Sequence, residues 1–364
     1  MFTKINPDEG DGLHEQSPIK YPSSVIGWWV WGDHLITAVC ILDDAGKVVC
    51  HGEVETRPDL IKAFLEARGF VDAKVGMETG PLAVWLYHSL RRLNLDIDCI
   101  HARHVHAALT VQLNKTDHND ARGITNLVRS RWYQPIYVKS LECHNQRLMI
   151  TAREKLVRTR VSINNQIRGL LKTFGVVLSP GRNDVFRREV LAADPSVEAV
   201  KSVILMLLDT WRHISRQIKE CSKMLDKQAR QDPVCKVLMS VPGVGVLTAL
   251  SFKTAIGDPS RFRRVADIGA YLGITPRKYQ SGDVDKNGTI SKQGNRHTRS
   301  LLYEAASCLL SRYGTETSLA RWASIIRQKK GYKKAVVALA RKLSTVMLSM
   351  WRSGELYRDP VVAT

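Results

Sequence analysis

The chain has 364 residues, 44% of them hydrophobic, enough to bury the cores of two or three domains. Its 54 Lys and Arg against 35 acidic residues give a net charge of +19, which points to a polyanionic partner, expected to be nucleic acid. With no run of about 18 apolar residues and no signal-peptide pattern, neither a membrane span nor export is expected, and seven scattered cysteines without CxxC or zinc-like pairing with His read as free thiols of a reducing, cytoplasmic setting.

Residues 1–24, rich in Pro, Gly, Asp and Glu and without an apolar period, are expected to form a disordered leader. Three β-type runs follow, Val25 to Trp31, Leu35 to Leu42 and Lys47 to Val54, the last two joined at Asp43-Asp44-Ala45-Gly46, and they predict an antiparallel meander. Leu60, Ala63, Phe64 and Ala67 recur at helical spacing, Lys74 to Glu78 predicts a strand, Leu82 to Leu93 a helix and Asp96 to Ile100 a strand. The order βββαβαβ and then helix predicts, over 25–135, a mixed sheet flanked by helices, as in the ribonuclease H and Holliday-junction resolvase fold.

After Pro135 the pattern turns to long helices. Leu148, Leu156, Ile163, Ile167, Leu170 and Leu171 stripe the first, and a second runs from about Val197 to Ala229; with the loop Ser179-Pro180-Gly181 they predict a helical hairpin over 136–234. It serves either as a dimerisation arm or as a spacer packed on its own chain. Residues 235–364 are expected to form a mostly helical domain, making the fold class α/β plus α. There Val241-Pro242-Gly243-Val244-Gly245 opens an apolar helix, with glycines whose turn could offer N–H groups to a phosphate. Arg327 to Lys334 is expected to be a basic loop, and Leu339, Leu343, Val346, Met347 and Met350 the buried stripe of a last helix.

Cleaving a phosphodiester with divalent ions requires several convergent carboxylates. Glu78 ends a predicted strand, and Asp117 and Asp120 share one face at the start of a helix, where an N-cap aspartate with a first-turn partner is the plainer explanation. Arg277, Lys278, Lys292, Arg296 and Arg299 form a basic set suited to a phosphate backbone, or simply a solvated face.

Several blocks carry a family resemblance. Ile26-Gly27, Met77-Glu78-Thr79-Gly80 and Asn114-Lys115-Thr116-Asp117-His118-Asn119-Asp120-Ala121 are followed by Val241 to Gly245, Ile256-Gly257-Asp258 with Phe262, Tyr271-Leu272-Gly273-Ile274-Thr275-Pro276, Gln280-Ser281-Gly282 and Gly288 to Asn295. In this order, over about Val25 to Trp351, they resemble the insertion-sequence 110 transposases. The resemblance implies a resolvase-like domain with an Asp-Glu-Asp-Asp set holding magnesium on Glu78, Asp117 and Asp120, and a C-terminal domain whose nucleophile is Ser281. A serine hydroxyl needs a base or a metal to activate it; Ser281 as an ordinary turn residue and Ser291 as a rival remain alternatives. The resemblance further implies DNA as substrate, a structured guide RNA from the element's flank, and a homodimer or homotetramer that completes the site between protomers.

One position departs. The family's first aspartate falls two residues after the strand glycine, where this chain has Trp29, and Asp33 has the same strand parity but lies roughly 13 Å further along an extended chain, out of reach without a bulge. The expected function is a serine-nucleophile DNA recombinase. A catalytically impaired nucleic-acid-binding copy is the second reading, and a metal-dependent junction nuclease that works without Ser281 is the third.

Overall fold

Strands form first where β-branched and aromatic residues crowd: Val25–Val30 (β1) pairs antiparallel with Ile36–Leu42 (β2), and β2 with Val48–Glu55 (β3). After the helix Pro58–Glu66 (α1) come Lys74–Glu78 (β4), Ala83–Arg92 (α2), Ile97–Ile100 (β5), Ala102–Leu109 (α3) and Asp117–Ser130 (α4). The computed structural model describes residues 25–30, 36–70, 72–110, 114, 116–194, 198–282, 284–314 and 316–359, so the expected leader and Asp33 lie outside the described residues.

Among the described strands the order is β3-β2-β1-β4-β5, with β4 parallel to both β1 and β5. One face packs Val39, Ile41, Val75, Met77, Ile97 and Cys99 against Ile61 and Leu65 of α1 and Leu86 and Leu90 of α2. The other carries Ala38, Cys40 and Leu42 against Ala121, and Ile100 against Val105, Ile124 and Val128, under α3 and α4. The predicted element order is observed, but the buried face of α1 is Ile61 and Leu65, not the expected Leu60, Ala63, Phe64 and Ala67. Phe64 instead covers Gly52 of β3 and is itself capped by the Arg68 guanidinium, 3.7 Å from its centroid.

The chain divides into two compact units, residues 1–139 and 140–364. The second opens with the long helices Leu141–Thr173 (α5) and Glu198–Gln231 (α7), between which lies a helix absent from the sequence reading, Asn183–Ala192 (α6). Its Phe186 and Val190 are buried with Ile167, Leu171, Leu208 and Trp211, so the tip of the hairpin has a core of its own. Leu148, expected in the stripe of α5, is 66% exposed; the buried apolar residue of that segment is Ile150.

The expected boundary at 234/235 falls inside this unit, because Ile150, Leu225 and Ala229 join the core of the following helices. Those are Pro233–Met239 (α8), Val246–Ile256 (α9), Ile268–Tyr271 (α10), Arg296–Arg312 (α11), Ser318–Lys330 (α12) and Tyr332–Ser353 (α13), with a hairpin of Pro276–Ser281 (β6) and Val284–Ile290 (β7). Gly243, proposed as a phosphate-turn residue, is needed for packing: a Cβ there would lie 2.8 Å from Ala305 O of α11. Arg327 to Lys334 is not a loop, since helix α12 runs to Lys330 and α13 starts at Tyr332, the break being Gly331 alone. Leu339, Leu343 and Met347 are fully buried, as the stripe predicts. All seven cysteines are free thiols. Among the described residues no helix is long and apolar enough to cross a membrane.

Candidate active site

Because β4 is flanked by parallel neighbours, Glu78 stands at the carboxyl end of the sheet's parallel core, the edge at which α/β folds commonly place ligands. Trp28 pairs with Met77, so Trp29 and Glu78 are the next residues along strands about 4.8 Å apart.

Helix α4 is started by Thr116, whose hydroxyl accepts the Asn119 N–H at 3.2 Å, and carries Asp117 and Asp120 in its first turn. It lies directly on the sheet: a Cβ on Gly76 would come 2.2 Å from Val128 Cγ2, and Thr125 Oγ1 donates to Cys40 O at 3.2 Å. At its far end Arg129 donates to Asp44 O in the β2–β3 turn. At its near end His118 Nε2 is 3.7 Å from Glu53 Oε1, and Glu53 pairs with Ala38, which pairs with Trp29. Helix α4 therefore runs antiparallel to β4 and sets Asp117 and Asp120 over the end of the sheet that carries Glu78.

Asp120 is buried, Glu78 and Asp117 are half-buried, and Glu78 Oε2 and Asp120 Oδ2 are shielded from solvent. Both aspartates lie in the first turn of α4, at the positive end of its dipole. Burial, with the Glu78 and Asp98 charges adding to it, pushes the Cys99 thiol up to about 12, so this neighbour is inert. Beside the aspartates, His51 stacks edge-on against His118 with ring centroids 5.4 Å apart. Burial, then the charges of His118 and Arg122, lower the His51 pKa. Nothing in the sequence marks His51 and Glu53, because only the course of α4 brings them to the aspartates. Among the described residues no three His, Cys, Asp or Glu side chains converge as a metal cluster.

In the second unit, Ser281 ends β6 and pairs with Val284 across a turn at Gly282, whose φ is +53°. Every residue of β6 is exposed, so the ribbon has no core of its own, and the Ser281 hydroxyl makes no hydrogen bond to a described residue. The base of the ribbon is locked backbone on backbone. Ser291 N donates to Thr275 O (2.8 Å) and Lys292 N to Gly273 O (3.1 Å). A Cβ on Gly273 would lie 2.0 Å from Gln293 O, and one on Gly294 2.2 Å from Tyr271 O. Ser291 is thus part of the clasp, and its carbonyl accepts from Arg277 Nη2.

Arg299, expected on phosphate, donates to Leu272 O and Gln293 O at 3.0 Å each and closes the same clasp. Lys278 pairs with Asp285 across the ribbon, while Lys292 and Arg296 are exposed with no partner among the described residues.

Two family models match this chain: the DEDD-type transposase model of IS110 over residues 31–175, and the transposase IS116/IS110/IS902 family over 235–323. The transposase for insertion sequence element IS1111A of Coxiella burnetii is 27% identical over 325 residues, 88% of each chain. The chain belongs to the IS110 family of transposases. Another relative of this IS110-family transposase, a putative transposase of Sinorhizobium fredii, is 30% identical over 253 residues, 68% of this chain and 65% of its own. A pilin gene-inverting protein of Moraxella bovis is 29% identical over 138 residues, 37% of this chain and 40% of its own. The first model begins two residues past Trp29 and includes Glu78, Asp117 and Asp120; the second includes Ser281 and the whole clasp.

Proposed function

We propose that this transposase cuts and rejoins DNA in the cytoplasm through a phosphoserine link at Ser281, with Glu78, Asp117 and Asp120 as ligands of magnesium in a ribonuclease H-like domain. The observation that carries the nucleophile is the placement of Ser281 at the tip of an exposed ribbon whose base is held by two glycine clasps. A hydroxyl so presented reaches a phosphate without displacing core residues. Ser281 Oγ loses its proton and bonds to phosphorus, the phosphorus–oxygen bond to the sugar breaks, and the departing sugar oxygen takes up a proton. Attack by another strand's sugar hydroxyl reverses the sequence, frees Ser281 and conserves the bond.

The residues present suit a hard divalent cation in kind, since the carboxylate oxygens of Glu78 at the end of β4 and of Asp117 and Asp120 in the first turn of α4 are the ligands such ions take. When bound, the ion supplies neutralisation of the charge that builds on the phosphate. Lys292 and Arg296 position the strand backbone, with Arg277 and Lys278 toward the base of the ribbon whose tip carries the serine. Sequence choice through a guide RNA and assembly as a homodimer or homotetramer, with α5–α7 as the arm, complete the reading. Residue 29 favours a second one, a copy that binds DNA but has weakened metal chemistry.

Incubation of the full chain with magnesium, labelled donor DNA and the element's flanking RNA tests the proposal on a denaturing gel. A protein–DNA adduct lost with Ser281→Ala and kept with Ser291→Ala is expected. An adduct that survives the first change and vanishes with the second overturns the assignment of the nucleophile.

A further inference from the structure

Helix α4 does not end on a glycine. Its C-cap is Arg131, in the left-handed region at φ +54°, a conformation that costs a side-chain-bearing residue and is retained where something is gained from it. The consequence is the direction of the next residue. Trp132 leaves the helix end pointing outward and is 76% exposed, more than any other large hydrophobic residue described.

The segment that carries it is fixed on both sides. The Trp132 N–H donates to Leu127 O (3.3 Å), Tyr133 Oη donates to Asp98 Oδ2 of β5 (2.7 Å), and the Ile136 N–H donates to Cys99 O (2.8 Å). The indole therefore stands on a rigid mount, not on a loop that could fold it away. Next to it opens a cleft of about 510 Å³ within the first unit. Its floor is apolar, from Ala108 of α3 and Leu127 of α4, and its rim carries His104, Arg131 and Gln134, with no carboxylate in the lining.

We propose that this cleft holds an unpaired nucleobase of a single nucleic-acid strand, stacked on Trp132, with Gln134 and His104 at the base edge and Arg131 on the adjoining phosphate. A flat apolar face beside donor and acceptor groups and a guanidinium is what an unstacked base requires, and every base offers a π-face to it. A duplex hides that face. The inference rests on the nucleic-acid function proposed above, and it assigns to the first unit a contact separate from the carboxylates. The strand can be DNA opened at the reaction site or RNA, and the two are separated by experiment.

The test is fluorescence anisotropy of the full chain on labelled oligonucleotides of one sequence: single-stranded DNA, single-stranded RNA, the DNA strand with abasic residues, and duplex DNA. Trp132→Ala is expected to weaken binding to the strand whose base it holds by about ten-fold. It leaves abasic and duplex binding unchanged, Trp132→Phe restores most of the loss, and the arm in which the loss occurs identifies DNA or RNA. Arg131→Ala lowers the slope of log K on log salt by about one contact. Because Trp132 is exposed, these changes leave the fold intact, which circular dichroism verifies. Equal affinity of wild type and Trp132→Ala for both single strands, equal losses on abasic and duplex DNA, or a fall in oligomeric state by sedimentation overturns the proposal; the last makes this face a contact between copies. Wild-type protein that binds none of the four ligands sinks the nucleic-acid function as well, whereas normal binding indifferent to Trp132 sinks only the cleft.

Discussion

Replacing Trp29 with Asp and, separately, with Asn isolates one charge beside Glu78, since both variants lose the same indole. Position 29 follows a residue paired with Met77, so its backbone lies about 4.8 Å across the sheet from the Glu78 backbone. Two carboxylates about 5 Å apart repel by about 3 kcal/mol at an effective dielectric near 20, and partial exposure of Glu78 reduces this to ~1–2 kcal/mol. Without metal, Trp29→Asp is therefore expected to be less stable than Trp29→Asn. With metal the sign reverses, because a doubly charged ion at the same distance attracts the new charge with up to about 7 kcal/mol before dehydration is subtracted. Each ~1.4 kcal/mol retained is a tenfold gain in ion affinity. The assay is thermal unfolding of the full chain in EDTA and across a magnesium or manganese titration, where ~1 kcal/mol moves the melting temperature by ~4 °C for a unit of 139 residues. Strand-cleavage activity should rise with the metal-linked stability. Asp and Asn variants that respond identically in both arms, or a wild type already stabilised by magnesium as steeply as Trp29→Asp, would refute the placement of a metal site at this edge of the sheet.

The net charge of +19 predicts DNA affinity that falls linearly with log salt, and a binding constant flat between low and physiological salt would contradict phosphate binding. Gly294→Ala puts a Cβ 2.2 Å from Tyr271 O at φ +79° and should cost roughly 3 kcal/mol or more, whereas Gly282→Ala, with nothing within 4 Å, should cost only about 1 kcal/mol; denaturant melts that rank them otherwise would disprove the clasp. Asp232 caps α8 through the Cys235 N–H and is ion-paired with Lys253 of α9, both side chains largely buried. Burial alone would raise its carboxyl, but hydrogen bonds from Lys253 and backbone N–H groups, with the Lys253 charge, hold it below the usual range. This contribution is full above the ordinary carboxylate pKa and is lost as pH falls through the depressed folded value. Lys253→Met should cost about 3–5 kcal/mol at neutral pH and flatten that acid limb, to be measured by urea unfolding between neutral and acid pH.

The strands and the order of helices in the first unit were legible because their signals are local: β-branched runs, a turn at Asp43 to Gly46, and 3.6-residue spacing. Faces were less so. In α1 the apolar residues Leu60, Ile61, Phe64 and Leu65 cover more than one side, and burial by the sheet, not periodicity, selects Ile61 and Leu65. Helix α6 was hidden because Ser179-Pro180-Gly181 suggests a short connection, while Phe186 and Val190 reveal their role only against Trp211. The break at Gly331 shows the converse error, a charge run taken for a loop when lysines occupy two exposed helix ends.

The candidate site divides the same way. Sequence order could nominate Glu78, Asp117, Asp120 and Ser281, but what lets α4 lie low on the sheet at the Glu78 end is a missing side chain, since a Cβ at position 76 would come 2.2 Å from Val128 Cγ2. Counting charges could not separate arginines that hold the protein from those free to hold phosphate. Arg168 donates to Leu178 O and Ser179 O, Arg299 to Leu272 O and Gln293 O, and Arg352 to Pro259 O. Each ties a chain segment together through its backbone carbonyls, a task suited to the guanidinium fork. A Lys or Arg nominated for DNA contact is therefore judged by where its donors already point, and by that measure the side chains of Lys292 and Arg296 are open to a ligand while the Arg299 guanidinium is taken up by backbone carbonyls.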